Sequence, residues 1–389
     1  MKSLVSTPIS VGGVAPPVRP IAERPMPPVK RWVRRRAGSA WLNLMFFHSR
    51  RLPWVVRKFK PFWTWGAWTH SYYLQDNILA NARRLLGHRA TPLNCDALGR
   101  AVVSNFFDFI SDIGKSIGQT REQLLARIDR IEGEPGYHAV RAQKKGAIIL
   151  TAHMGSFEVG MAALLQHEKR VHVLFRRDSF GLFEKTRSEL RRQLGVIEEC
   201  VDEGLPVWIR LREALAKDDV VLIQGDRVMP GQKGRRMPVL GGHMVLPTGP
   251  VRLALATGAP IIPIFSIRLP DGKIRLFIEP ALYVDESHSA NPGVTPRCGG
   301  CGTGVSPVAA ALDVEHRHHG RDGHATSIAP QISVTPADAA MDRLRSTLER
   351  YLRDYPDQWL MVHRAWCEDA ESTDNQARCG RTGFQPVRT

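Results

Sequence analysis

No run of about 18 apolar residues, the length a spanning helix needs, occurs in this chain of 389 residues, so a transmembrane helix is not expected. Residues 1–30 hold seven prolines and no apolar core of the kind a secretory signal peptide requires. Residues 1–35 therefore read as a disordered Pro/Arg-rich N-terminus. Cysteine is sparse: six residues in a chain of this length do not make a disulfide scaffold, and reduced cytoplasmic thiols are the default. The Gly-x-Ser-x-Gly elbow of a covalent serine enzyme is missing. Acid is under-represented too, with 38 acidic against 54 basic side chains and a net charge of +16. Such a charge calls for an anionic partner: nucleic acid, an anionic bilayer or an acidic protein.

The distribution of that charge favours a bilayer. Trp41-Leu42-Asn43-Leu44-Met45-Phe46-Phe47 is bordered by Arg34, Arg35, Arg36, Arg50 and Arg51. Trp54, Lys58, Lys60, Phe62, Trp63, Trp65 and Trp68 follow. Indole rings prefer the headgroup zone and cations prefer anionic lipid, so residues 36–70 read as a basic-aromatic membrane-docking segment built of amphipathic helices. The same rings and cations could stack nucleic-acid bases, but no RNA- or DNA-binding motif accompanies them, and nucleic acid is not expected as a partner.

Beyond residue 70 the apolar spacing is helical at first, as in Leu79, Ala82, Leu85 and Leu86, and then Val103, Phe106, Phe107 and Ile110. Strand and helix signals then alternate. Strands are expected at 147–152, 171–175, 220–224, 260–267 and 274–278, and helices near 157–167, 181–194, 206–217, 248–257 and 336–353. This order specifies an α/β fold with a mixed, largely parallel central sheet flanked by helices. Asp271-Gly272 marks a hairpin between the last two strands. The core spans 71–290, and a helix within 332–368 completes it. Residues 291–331 lose all periodicity and read as a flexible, repeat-like insert. Thr303-Gly304-Val305-Ser306-Pro307-Val308 is echoed by Thr382-Gly383-Phe384-Gln385-Pro386-Val387 in a disordered tail, 369–389. The insert carries Cys298 and Cys301, then His316, His318, His319 and His324. It lacks the apolar residues of a zinc-finger core, so no metal is expected.

The chemistry concentrates at Ile148-Ile149-Leu150-Thr151-Ala152-His153-Met154-Gly155-Ser156-Phe157-Glu158. A strand-forming run ends at a histidine, a small-residue turn follows, and a glutamate comes next. On one continuous helix the two side chains would point about 140° apart. They meet if His153 lies in the strand-to-helix turn and Glu158 in the first helical turn. Gly155 would supply the backbone freedom and Ser156 the N-cap. A carboxylate on one imidazole nitrogen orients the other as a general base, and a merely structural ion pair is the alternative. Ser156 as a nucleophile is a second, less favoured option.

Three further stretches share one pattern with this turn. Val220-Val221-Leu222-Ile223-Gln224-Gly225-Asp226 is followed by Arg227. Met237-Pro238-Val239-Leu240-Gly241-Gly242 leads into Leu246-Pro247-Thr248-Gly249-Pro250-Val251-Arg252. Tyr355-Pro356-Asp357-Gln358-Trp359-Leu360 comes near the end, with His363-Arg364 close behind. Together they resemble the bacterial lipid A biosynthesis acyltransferase family, which includes the lauroyl and myristoyl transferases. The resemblance covers about 75–290 and 335–366. Ser156-Phe157-Glu158 stands where that family usually has Asn-Trp-Glu. The Pro-Glu-Gly-Thr element of glycerolipid acyltransferases is absent.

The resemblance implies a glycerolipid acyltransferase-like fold and an enzyme at the cytoplasmic face of the inner membrane. It would pass an acyl chain from acyl-acyl carrier protein or acyl-CoA to a hydroxyl of a membrane glycolipid, with no cofactor. His153 would be the base and Glu158 its orienter. Arg176 and Arg177, after the second strand, would contact a phosphorylated acceptor, since guanidinium matches phosphate in two-point fashion. Asp226 and Arg227 would bind substrate at a strand end, with an internal salt bridge as the alternative. Gly241, Gly242, Thr248 and Gly249 would shape a loop near an acyl groove. A lysophospholipid or other polar-lipid acyltransferase would use the same groups.

Overall fold

The computed structural model describes residues 28–177, 181–228, 232–284 and 335–367. Of the expected disordered N-terminus, residues 1–27 lie outside the described residues, whereas 28–35 are helical and open the first helix; the insert with its Cys and His residues and the tail lie outside them.

Four helices come first: α1 (Pro28–Arg51), α2 (Pro53–His70), α3 (Tyr72–Leu86) and α4 (Pro92–Ser116). A short α5 (Arg121–Leu125), β1 (Ile128–Glu132) and α6 (Glu134–Arg141) lead into the alternating part. That part runs β2 (Ala147–Thr151), α7 (Phe157–His167), β3 (Val171–Phe175), α8 (Gly181–Leu194), β4 (Ile197–Cys200), α9 (Leu205–Ala216) and β5 (Val220–Gln224). A hairpin of β6 (Gly234–Val239) and β7 (Gly242–Pro247) follows. Then come α10 (Gly249–Thr257), β8 (Ile261–Arg268), β9 (Ile274–Ile278), α11 (Pro336–Asp354) and β10 (Trp366–Cys367).

The main sheet has seven strands in the order β1-β9-β8-β2-β5-β3-β4. All neighbours are parallel except β8 and β9, whose antiparallel hairpin turns at Asp271-Gly272 as expected. Both faces of the central strands are buried, as parallel sheets require. Successive residues therefore feed opposite layers. Ile148, Val221 and Ile261 pack in the layer containing α3, α4, α9, α10 and α11. Ile149, Leu222 and Ile262 pack against Tyr137 of α6 and Met161 and Leu165 of α7.

Two features differ from the sequence reading. Gly241 and Gly242, expected with Thr248 and Gly249 to shape a loop and helix start near a groove, sit at the turn of a β6–β7 hairpin in a separate three-stranded sheet, β10-β7-β6, and Gly249 begins α10. The hairpin's two turn residues, Leu240 and Gly241, have φ of 49° and 70°. This two-residue turn with both φ positive favours Asn-Gly or Asp-Gly; leucine in the first place hid it. β1 and β4 were also unmarked, because Ile-Asp-Arg-Ile-Glu and Ile-Glu-Glu-Cys carry acids where strand signals depend on β-branched and aromatic residues. As for the thiols, Cys95 and Cys200 are free, whereas Cys367 is disulfide-bonded.

The N-terminal helices do not divide simply into an apolar and a polar face. α2 buries Val56 and Trp68 and turns Trp54, Phe59, Phe62 and Trp65 outward beside Arg57 and Lys58. Trp68, expected among the docking rings, is instead core. Its indole N–H donates to Asp96 at 2.9 Å, and its ring lies where a Cβ on Gly99 of α4 would otherwise sit. Among the described residues no helix is long and apolar enough to cross a membrane.

Candidate active site

β2 and β5 are adjacent and parallel, with Thr151 opposite Gln224. Two residues beyond each strand end, that register brings His153 and Asp226 side by side. Asp226 Oδ1 accepts from His153 Nδ1 at 2.8 Å, and Oδ2 accepts from the His153 backbone N–H at 3.0 Å. Trp359 Nε1–H completes the set, donating to Oδ2 at 2.9 Å. Asp226 is 1% exposed and the His153 side chain 19%. A carboxylate so enclosed needs these donors, because an unpaired buried charge is very costly.

Glu158 does not hold His153. It lies in the first turn of α7 and points to α8, where Arg187 Nε donates to its Oε1 at 2.6 Å. The carboxylate on the imidazole is thus the one across the sheet, Asp226, and not the one five residues along the chain. The Asp226 oxygens are accordingly taken up by His153 and Trp359 rather than presented to a substrate. Glu158 is equally buried, and its Oε2 has no hydrogen-bond partner among the described residues.

The turn itself is held from several sides. Gly155 has φ of +52°, and a Cβ there would overlap the carbonyl oxygen of Ser266, so the expected backbone freedom is needed for two reasons. Ser156 occupies the N-cap position of α7 without capping it. Its hydroxyl donates to Asp112 of α4 instead, which leaves it buried and turned away from His153's carboxylate partner. The Tyr355–Leu360 motif clamps the turn. Gly155 N–H donates to the Gln358 carbonyl at 3.0 Å, and Leu360 N–H donates to the His153 carbonyl at 2.8 Å. Phe157 lies edge-on to the His153 ring at 5.7 Å and stacks on Phe109 at 4.8 Å. It thereby joins the turn to an apolar cluster shared with Leu42, Met45 and Val56 of α1 and α2.

Electrostatics assign the protons. Burial pushes the Asp226 carboxyl up. The His153 imidazole and the hydrogen bonds from His153 and Trp359 pull it down further, to about 2. Burial pushes the His153 imidazole below its ordinary value. Asp226 opposes that shift, and the nearby guanidiniums of Arg227 and Arg187 add to it. The pair at neutral pH is therefore a carboxylate and a neutral imidazole. With Nδ1 donating to Asp226, Nε2 carries the lone pair.

The remaining expected residues scatter. Arg176, at the end of β3, pairs with Asp202 at 3.2 Å, and Arg177 beside it is exposed. Arg227 follows Asp226 and is half-buried. Gly242 sits against Trp366 and Arg84, on the side of the small sheet. Arg364 ties the C-terminal segment to Asp76 of α3 at 2.7 Å. A small cavity lies next to the turn, lined by Leu150, Ala152, Gly225, Leu246, Phe265 and Met341 among others; at about 30 Å³ it holds a water molecule or two rather than a chain. Sequence reasoning missed Arg187 and Asp112, whose surroundings in the chain give no signal. It quoted Trp359 without a role.

A largely parallel α/β sheet carries a buried Asp226–His153 pair just beyond its strand ends, and Phe157 joins their turn to an apolar cluster. The family model described as bacterial lipid A biosynthesis acyltransferase matches residues 36–292. The chain belongs to that family, and it is an acyltransferase. No curated protein matches it.

Proposed function

We propose that this acyltransferase moves a fatty acyl chain from an acyl thioester to a hydroxyl of a phosphorylated membrane glycolipid, with His153 as general base. The observation that carries the reading is the His153 Nδ1 contact with Asp226 at 2.8 Å. It leaves Nε2 free to take a hydroxyl proton. The hydroxyl oxygen attacks the thioester carbonyl as that proton passes to Nε2. The tetrahedral oxyanion then collapses, the C–S bond breaks, and the imidazolium returns the proton to the departing thiolate. Asp226 orients the imidazole and stabilises its charged form. Glu158 serves the reaction indirectly, by holding Arg187 close enough for its charge to reach His153. Arg187 and Arg227 supply positive charge for the oxyanion.

The donor is acyl-acyl carrier protein or acyl-CoA. Both are anionic, as suits a chain of net charge +16. The acceptor resembles a lipid A precursor, and the exposed Arg177 is its closest match for a phosphate contact among the residues of the β3 end. The enzyme works at the inner membrane's cytoplasmic face as a peripheral or monotopic protein. Trp54, Phe59, Phe62 and Trp65, each more than half exposed, form the docking face with Arg57 and Lys58.

The test is transfer itself, followed by mass spectrometry of the lipid product. Wild type should add one acyl mass to a lipid A precursor. His153→Ala should lose on the order of 10²–10⁴-fold in rate with an unchanged melt. Near-native turnover in that variant would refute the mechanism. A lysophospholipid accepted in preference to the glycolipid would keep the mechanism and change the substrate.

A further inference from the structure

A second concave site lies away from His153, where the α1–α2 junction meets the end of α4, α5 and Arg127. Its volume is about 690 Å³, and Arg50, Arg51, Arg57, Lys115 and Arg127 all line it. No aspartate or glutamate is in the lining. Elsewhere in the molecule arginines are heavily paired: Arg141, Arg191, Arg210 and Arg268 each reach two carboxylates. Arg127 reaches one carboxylate, Asp112, at 2.5 Å, and also donates to the Ser116 hydroxyl at 3.0 Å. For Arg50, Arg51, Arg57 and Lys115 there is no ion-pair or hydrogen-bond partner among the described residues.

Arg50, Arg51 and Arg57 gather around one cavity without a carboxylate partner, and an anion between them would lower their mutual repulsion. Burial pushes the Lys115 ammonium below its ordinary value; Asp112 opposes that shift, Arg127 and Arg268 add to it, and Asp108 opposes it. The cavity falls within the size range of small-molecule sites and exceeds what a monatomic ion needs. Guanidinium forks match the oxygens of phosphate. Trp54 lines the same cavity and is 58% exposed, so the opening lies beside the outward rings of α2.

We propose that this pocket binds the phosphate group of a lipid headgroup, at a position distinct from Arg176 and Arg177. It fixes the depth and orientation of the protein on a phospholipid surface. The pocket is linked to the turn that carries His153 through Asp112, which accepts from both Arg127 and Ser156. The inference does not depend on the acyl-transfer reading, since binding is measured without turnover.

The full-length protein is titrated with inorganic pyrophosphate by calorimetry, and with phosphatidylcholine vesicles with or without phosphatidic acid by co-sedimentation. The variant is Arg50→Gln with Arg57→Gln. The control, Arg192→Gln with Arg252→Gln, removes the same charge from exposed positions elsewhere. Thermal melts confirm that both are folded. Wild type and control should bind pyrophosphate saturably, and the pocket variant should bind about tenfold more weakly or worse. Phosphatidic acid vesicles, unlike phosphatidylcholine vesicles, should compete with pyrophosphate for wild type and control, which identifies the lipid as the source. If vesicles leave pyrophosphate binding untouched while coenzyme A displaces it, the pocket takes a soluble phosphate and the lipid assignment is overturned. Absence of saturable binding, or equal weakening in the control, overturns the pocket altogether.

Discussion

Replacing Asp226 by Asn separates the two carboxylates near His153. The Asp226 oxygens are not equivalent: Oδ2 faces two donors, the His153 backbone N–H and the Trp359 indole, while Oδ1 faces Nδ1 alone. An asparagine has one acceptor and one NH2. Its oxygen is drawn to the Oδ2 position, because an NH2 there would meet two N–H groups head-on. The NH2 then faces Nδ1 and can only donate to it. That forces the imidazole proton onto Nε2, and the lone pair needed for base catalysis is lost. In a Ser-His-Asp protease the same substitution costs about 10⁴ in kcat through the wrong tautomer. A loss of 10²–10⁴-fold, or about 3–5 kcal/mol in the barrier, is expected here. The assay is acyl transfer read by mass spectrometry at saturating substrate, with a melt to show that the variant folds. The reasoning is refuted if folded Asp226→Asn retains turnover within about threefold while Glu158→Gln is inactive. The carboxylate five residues along the chain would then be the orienter after all.

Three other predictions rest on separate contacts. Burial lowers the His153 pKa, so the base stays neutral as pH falls through the ordinary imidazole value of about 6.5; kcat/KM should decline only below that pH, and an acid limb above it would contradict the proton assignment. Gly155→Ala should destabilise the fold by about 1–3 kcal/mol from positive φ and overlap with the Ser266 carbonyl, read as a lowered melting midpoint; an unchanged midpoint would show that the turn can shift. Replacing Trp54, Phe62 and Trp65 together by Ala should weaken binding to anionic vesicles even at low salt, because apolar insertion is lost while the cations remain. If Trp68→Ala, which empties a core site, weakens vesicle binding more than that triple variant in protein that remains folded, the docking face is misplaced.

Local pattern in the sequence was enough for the alternation of the α/β core. The apolar runs 147–151, 171–175 and 220–224 are strands, and 157–167 and 181–194 are helices, because a strand buried on both faces and a helix with one apolar stripe each leave a short-range signature. His153 at a strand end, the need for Gly155 and the family resemblance were legible for the same reason. The partner of His153 was not. Asp226 reaches it because β5 lies beside β2 in one register, and strand order is a property of the closed sheet rather than of any window of residues. The pairing of Glu158 with Arg187 likewise depends on how α7 meets α8. Trp68 and Trp65 are three residues apart, with similar neighbours in the chain, yet one is core and the other exposed. Packing against α4 decides between them. The basic pocket too arises only when the α1–α2 junction is laid against the end of α4, bringing Arg50 and Arg57 to Lys115 and Arg127. Composition set the excess of positive charge; tertiary structure decided where cations without an ion-pair partner gather, because only folding determines which charges find carboxylates.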